Sequence, residues 1–312
     1  MKLSEIVKYY NLLQSRELNP DYLTLIDAFR STVLTVNQQS IQMDPVGQEL
    51  AEDLAGIESA VEKFKHSLDQ IKQNVTALIS NLEPEMYRLS SERYSREVHW
   101  ENCEFLQTRK LTLSNDSDEL LRSRIRVHSD WRVPGMIIRP GYESFVEDMV
   151  PLDPLYLVDQ NPELLEPATQ GFTAEYQQRL RSYCISDIDP EVKIFNELPQ
   201  NQFGFVFAYN YFNFRPMEVI YRYIEEFYSL LRPGGTVIFT YNDCDVAHGV
   251  SLAEVFMSYT PGHKIRNQAE DVGFEIVRNQ IGPYSISWFE LRKPGTITSL
   301  RGGQTLAKIV QK

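Results

Sequence analysis

The chain has 312 residues, 42% of them hydrophobic and 24% charged, the balance of a globular protein with one large core or two smaller ones. Its formal net charge of −12 argues against a protein that grips a phosphate backbone, because such binding runs on clustered Lys and Arg. No nucleic acid is expected as partner. Arg122, Arg124, Arg126 and Arg132 are dense enough for a local basic patch, but read more simply as a solvated helix face and its partners.

No apolar run reaches the ~20 residues that a membrane helix needs, so no membrane association is expected. The opening residues, MKLSEIVKYY, carry acidic and polar side chains where a signal peptide needs an uninterrupted apolar stretch. Cys103, Cys184 and Cys244 are far apart and form no CxxC pair, which fits free thiols in a cytoplasmic protein and offers no zinc site. The scattered histidines add no metal-binding spacing, and no metal is expected.

In chain order, helices are predicted near Leu3–Gln14 and Tyr22–Val36, separated by the Asn19-Pro20 break. Next, Leu54, Ile57, Val61, Phe64, Leu68, Ile71, Val75, Leu78 and Leu82 alternate in steps of three and four. Such a repeat, about 3.5 residues per turn, keeps an apolar seam on one side of a supercoiling helix. Pro45 and Pro84 are its predicted boundaries. This seam fits either a helical hairpin within one chain or a coiled coil between copies, and residues 50–82 make a homo-oligomer the expectation. Residues 1–84 therefore read as a helical, coiled-coil scaffold.

Residues 85–134 read as a connector and cover, with a strand near Phe105–Leu113 and a capping box at Asp116 and Glu119 opening a short amphipathic helix. From Gly135 short apolar runs alternate with amphipathic helices, the mark of βαβ units and a parallel sheet. Strands are predicted at Met136–Ile138, Leu155–Val158, Val192–Phe195, Phe203–Tyr209, Thr236–Thr240, Phe274–Gln280 and Ser285–Leu291. The intervening helices run through Phe145 and Met149, from Pro162 to about Tyr183, from Pro216 to Leu231, and from Leu252 to Val272. Residues 135–294 thus form an α/β domain, with 295–312 as a C-terminal tail.

Four strings carry a resemblance. Leu231-Arg232-Pro233-Gly234-Gly235-Thr236 is similar to the "LxPGG" turn that enters the fifth strand of class I S-adenosylmethionine-dependent methyltransferases. Glu270–Val277 resembles that family's "aGF" turn, Leu198-Pro199 with Phe203–Phe207 its "LP…FDxV" passage, and Leu157-Val158-Asp159 its second strand. They stand in the family's order over about half the chain. The resemblance implies a seven-stranded Rossmann-like methyltransferase sheet, here with an N-terminal α-helical coiled-coil domain, and S-adenosylmethionine as cofactor. An NAD-binding Rossmann domain shares the glycine turn and the acidic strand end but would not account for the terminal hairpin.

In such a fold the ligand lies beyond the carboxyl ends of the strands. The resemblance places Asp159 at the ribose hydroxyls, where capping of the next helix is the alternative use of an aspartate and Asn161 could cap equally well. Gly141 is the middle glycine of the first turn, while Gln160 or Asn196 would reach adenine. Tyr209 and Asn210 would face the methyl donor or acceptor, or simply pack and turn. The family's first turn reads acidic-x-Gly-x-Gly-x-Gly, and the aligned run is Ile137-Ile138-Arg139-Pro140-Gly141-Tyr142-Glu143. Arg139 thus stands at a glycine position, where a long cation replaces close backbone approach.

For the chemistry, Tyr209, Asp243 and His248 are the candidate catalytic groups, with Asp245 nearby; His248 has simple exposure as its alternative. Two readings of function follow. One is a methyltransferase acting on a small molecule, sugar or protein side chain. The other is a degenerate methyltransferase fold used as an oligomeric structural or assembly subunit, which Arg139 and Glu143 favour.

Overall fold

The computed structural model describes residues 45–97, 115–140, 145–256, 258–282 and 286–296. The helices expected at Leu3–Gln14 and Tyr22–Val36, the strand at Phe105–Leu113, and Gly141 lie outside them. The chain divides into two compact units, Met1–Pro84 and Glu85–Lys312, each described by itself.

In the first unit runs α1, Pro45–Glu97, which carries the three-four repeat and continues into the second. Pro84 does not end it, contrary to the boundary expected there. A proline inside a helix removes one backbone hydrogen bond and crowds the preceding turn. Packing of the following turns offsets that cost. The Tyr87 ring meets Tyr259 edge-on at 5.5 Å, Ser90 Oγ accepts from the Tyr259 amide at 3.1 Å, and Tyr94 donates to Asp187.

The second unit is built on a seven-stranded sheet in the order β3-β2-β1-β4-β5-β7-β6. The strands are β1 (Gly135–Ile138), β2 (Leu155–Asp159), β3 (Leu180–Cys184), β4 (Phe203–Ala208), β5 (Leu231–Tyr241), β6 (Glu275–Gln280) and β7 (Ser287–Arg292). The first five are parallel, and β7 runs antiparallel to both neighbours. This is the class I methyltransferase fold, including its terminal hairpin. The helices are α2 (Asn115–His128), α3 (Phe145–Asp148), α4 (Pro162–Gln170), α5 (Ala174–Gln177), α6 (Met217–Leu230), α7 (Ala247–Phe256) and α8 (Gly262–Val272).

Central strands buried on both faces need near-continuous apolar sequence, and β4, Phe-Gly-Phe-Val-Phe-Ala, is buried at every position. On one face Met136, Ile138 and Val206 pack with Ile220, Tyr223 and Phe227 of α6. On the other, Ile137, Phe205, Phe207 and Trp288 pack with Leu121 and Ile125 of α2 and Phe145 of α3. Glycine is required at Gly234 before the β5 core (φ 79°) and at Gly273 closing α8 (φ 106°), where its amide bonds back to Ala269 and Glu270. These are the two family turns read from sequence.

Three expectations need correction. The third strand is Leu180–Cys184, not Val192–Phe195, and the helix from Pro162 ends at Gln170, with Gly171 at its C-cap. Thr173 then caps the single turn of α5. The amides of Ile194 and Phe195 donate instead to the Glu226 carboxylate at 2.8 and 2.9 Å, and Phe195 packs edge-on against Tyr223. They are core residues on a turn, which makes the same apolar run as a buried strand. The helix expected over Leu252–Val272 is two helices, α7 and α8. Between them Thr260 bridges Asp243 beyond β5, and Pro261 starts α8.

The suspected basic patch is dispersed into ion pairs: Arg122 and Arg126 bind Asp148, Arg132 binds Asp130, and Arg124 reaches Glu290. Glu290 lies within the β5–β7 ladder, fully buried, and takes Arg124 Nε at 2.8 Å and His128 Nε2 at 2.8 Å. Burial pushes its carboxyl up, but hydrogen bonds from His128 and Arg124 outweigh this and hold it at about 2 instead of 4.5. The pair fastens α2 over the sheet. A depressed carboxyl pKa contributes stability that is complete above 4.5 and lost as pH falls toward 2. Glu290→Gln should therefore cost roughly 2–4 kcal/mol in urea denaturation at neutral pH. The gap to the wild type should narrow through that acid window, and equal stabilities at pH 7 would reject the role.

Candidate functional site

The parallel strand order reverses between β1 and β4, and at such a switch point the carboxyl ends of the strands leave a crevice. Ile138, Val158 and Ala208 lie side by side there in register. The next residues outward are Arg139 from β1, Asp159 and Gln160 from β2, and Tyr209 and Asn210 from β4.

Arg139 has φ 59°, in the left-handed region that a long L side chain rarely adopts. Its amide donates to Val158 O at 2.8 Å, so the β1–β2 ladder fixes the turn. A left-handed backbone at this arginine costs a strain of about 1–2 kcal/mol. Its side chain is buried, with Nε 3.6 Å from Asp159 Oδ2 and the guanidinium 4.9 Å from the centroid of the Tyr211 ring.

Asp159 is buried too, at the end of β2. Its Oδ1 accepts the Asn161 amide at 3.0 Å, and Oδ2 has no hydrogen-bond partner. Asn161, not Asp159, caps α4, its Oδ1 accepting from Glu163 N at 3.0 Å. The aspartate is thus spared helix capping and presents one buried carboxylate oxygen to the Arg139 guanidinium. A buried acceptor without a donor costs about 1–3 kcal/mol unless a ligand or water supplies one.

Gln160 does not reach outward as expected. Its side chain bridges Arg215 Nη2 at 2.9 Å and Asp187. Arg215 and Asp187 are buried and paired at 2.8 Å. Arg215 also donates to Tyr211 O at 2.8 Å and lies 3.3 Å from the centroid of the Tyr211 ring. Asp187 further accepts from Tyr94 and from Tyr223 at 3.0 Å. Burial raises the Asp187 carboxyl, but the Arg215 charge and hydrogen bonds from Tyr94, Arg215 and Tyr223 bring it below the usual carboxylate range. Burial drives the Tyr211 and Tyr223 hydroxyls well above 10, so both stay neutral donors.

The sequence reading missed Arg215, Asp187 and their tyrosines. The one available signal was a long cation set in the apolar string Tyr-Asn-Tyr-Phe-Asn-Phe-Arg-Pro, which demands a buried acid. Asn196, expected near adenine, is exposed on the turn that replaced the predicted third strand. Chain leaving the true β3 leads instead to Asp187.

Tyr209 is buried against Phe145, with ring centroids 4.8 Å apart. Asn210 sits at φ 48°, which asparagine tolerates, and its amide donates to Thr240 Oγ1 at 2.8 Å. Asp243, beyond β5, accepts from the Asp245 amide at 3.0 Å, the Gly262 amide at 3.1 Å and the Tyr241 hydroxyl at 3.1 Å. Burial and the neighbouring Asp245 charge raise its pKa. The group ties the end of β5 to the start of α8. Asp245 binds His263 at 2.7 Å, while His248 is half-buried on α7 and its pKa is lowered by that burial.

No family model and no curated protein matches the chain. Among solved structures, a putative sarcosine dimethylglycine methyltransferase from Galdieria sulphuraria is 12% identical over 58% of this chain and 85% of its own, with a TM-score of 0.46. The N-methyltransferase NodS from Bradyrhizobium japonicum WM9, in complex with S-adenosyl-l-homocysteine, is 13% identical over 56% of this chain and 87% of its own, with a TM-score of 0.42. The [4+2]-cyclase SpnF is 12% identical over 60% and 85%, with a TM-score of 0.44. At such values the fold assignment rests on strand order and register. By those, the second unit has the class I methyltransferase fold.

Proposed function

We propose that the chain is an S-adenosylmethionine-dependent methyltransferase acting on a small molecule, sugar or protein side chain. The observation that carries this reading is Asp159, an aspartate at the end of β2 beside the switch point, with one buried carboxylate oxygen free of hydrogen bonds. A vicinal diol supplies the donors that this oxygen lacks. Gly141 belongs to the turn that would pass closest to the cofactor, and Asn210 to the rim at the end of β4. Gln160 is committed to Arg215 and Asp187, and its part is to hold that floor in place.

When bound, S-adenosylmethionine supplies an electrophilic methyl group, and positioning provides much of the rate. A base is needed only when the acceptor must lose a proton. Of the three candidates, Tyr209 is committed to packing and Asp243 to its three donors. His248, whose pKa is lowered by burial, is the candidate we retain.

The second reading, a degenerate fold acting as a structural subunit, is favoured by the arginine standing against Asp159. Calorimetry with S-adenosylmethionine and S-adenosylhomocysteine separates the two. Micromolar binding that falls by at least about 1.4 kcal/mol, tenfold in affinity, in Asp159→Ala supports the enzyme. Absence of heat at millimolar ligand overturns it.

We further propose that residues 50–82 make the protein a homo-oligomer. Ile71 and Leu78, one heptad apart on α1, are 45% and 40% exposed, and an apolar seam of that kind is covered by a partner helix. Light scattering should give a multiple of the 36.2 kDa chain mass, reduced to the monomer by Ile71→Glu with Leu78→Glu. A monomeric wild type would reject the proposal.

A further inference from the structure

We infer that Tyr94, near the end of α1, is a positioning residue for the ligand edge, acting on Asp159 through Asp187 and Gln160. This role rests on the proposed function and adds to it the group that steadies its carboxylate from outside the sheet. The last turns of α1 touch the segments that leave β3, β4 and β5. Tyr94 donates to Asp187, just beyond β3. Ser91 Oγ donates to Glu218 at the start of α6, which follows β4. Tyr87 and Ser90 meet Tyr259, beside the Thr260 that bridges Asp243 beyond β5. These contacts all fall on segments at the carboxyl side of the sheet, the side on which such a fold receives its ligand.

The contact at Asp187 is the one that leads to Asp159. Asp187 Oδ1 takes both the Tyr94 hydroxyl and the Gln160 side-chain amide. Gln160 directly follows Asp159, and its carbonyl oxygen accepts from Cys184 Sγ at 3.2 Å. The Asp159 carbonyl accepts from the Ile185 amide at 3.0 Å. The chain leaving β3 and the end of β2 are thus tied together through two backbone carbonyls and the Asp187 carboxylate. Asp159 takes its place from this closed loop.

Tyr94 sets where that carboxylate stands. Oδ2 of Asp187 belongs to the chain after β4: Arg215 Nε donates to it at 2.8 Å, Tyr223 at 3.0 Å and Tyr211 at 3.4 Å. Arg222 of α6 holds the Asp187 carbonyl at 3.0 Å. Those groups draw Asp187 toward α6 and the turn before it. Tyr94 and Gln160 hold the other oxygen, and both of its lone pairs are then used. Without the Tyr94 hydroxyl, Oδ1 is left to Gln160, and the larger set on Oδ2 turns the carboxylate away from β2. Gln160 moves with it, and so does the strand end that carries Asp159.

The test uses the full chain and S-adenosylhomocysteine, titrated calorimetrically into the wild type, Tyr94→Phe, Ser90→Ala and Asp159→Ala. Phenylalanine keeps the ring and removes only the donor, whereas Ser90→Ala removes a different anchor of the same helix. Tyr94→Phe should weaken binding about fivefold, and Ser90→Ala should bind as the wild type does. Urea denaturation without ligand should show both variants folded and slightly less stable. The Tyr94→Phe deficit should also grow as pH falls from about 8 to about 4.5, toward the carboxylate range. Burial raises the Asp187 carboxyl pKa, while the Arg215 charge and the Tyr94 bond lower it. Losing that bond raises the pKa, so the carboxylate that holds Gln160 is protonated at a higher pH than in the wild type. Tyr94→Phe binding equal to the wild type, an equal loss in Ser90→Ala, or a deficit that is constant with pH overturns the positioning role and leaves the proposed function standing. No binding by the wild type, or binding undiminished in Asp159→Ala, overturns both.

Discussion

Two arginines, Arg139 and Arg215, have buried side chains at the carboxyl edge of the sheet, and each faces one buried aspartate. A guanidinium without a counter-charge is not tolerated in such an interior, so the positions of Asp159 and Asp187 fix where both can lie. The consequences spread outward. Asp187 collects Tyr94, Gln160, Tyr223 and Arg215, and through them joins the end of α1, the edge of β2 and the body of α6. Tyr211 lies within cation–π distance of both cations. The rim that in this fold faces a ligand is here organised by charge neutralisation.

The two pairs divide the labour between them. Arg215 and Asp187 are closed on themselves, with distances and partners that leave little for a ligand to add. Arg139 and Asp159 approach to 3.6 Å at the carboxyl ends of β1 and β2, beside the switch point. Elsewhere the same principle works purely for stability: Glu290, buried in the terminal hairpin's ladder, draws Arg124 and His128 of α2 down onto the opposite end of the chain's sequence.

What could be read from the sequence was what local rules determine. Gly234 and Gly273 announce their turns because only glycine adopts those backbones at no steric cost. The apolar run Phe203–Ala208 announces a central strand because both of its faces are buried. Asp159 stands out by its place at a strand end, and Asn161, not Asp159, takes the cap of α4. Local rules fail where an apolar run serves the core from a turn, as at Ile194 and Phe195, whose amides found a side chain on α6 instead of a neighbouring strand. They also fail for ion pairs between distant segments, since nothing near Arg215 in the chain foretells Asp187, and nothing near Arg124 foretells Glu290. Pro84 is the opposite case. Local chemistry argues for a helix end there, and contacts made by Tyr87, Ser90 and Tyr94 prevail over it.

We propose that Asp159, at the end of β2, is the carboxylate that receives the ribose hydroxyls of S-adenosylmethionine. The most direct measurement is a crystal structure grown with millimolar S-adenosylhomocysteine. It should show the ribose hydroxyls donating to Asp159 and the Arg215–Asp187 pair unmoved. A ligand bound away from Asp159, or crystals that take up no ligand, would contradict this reading.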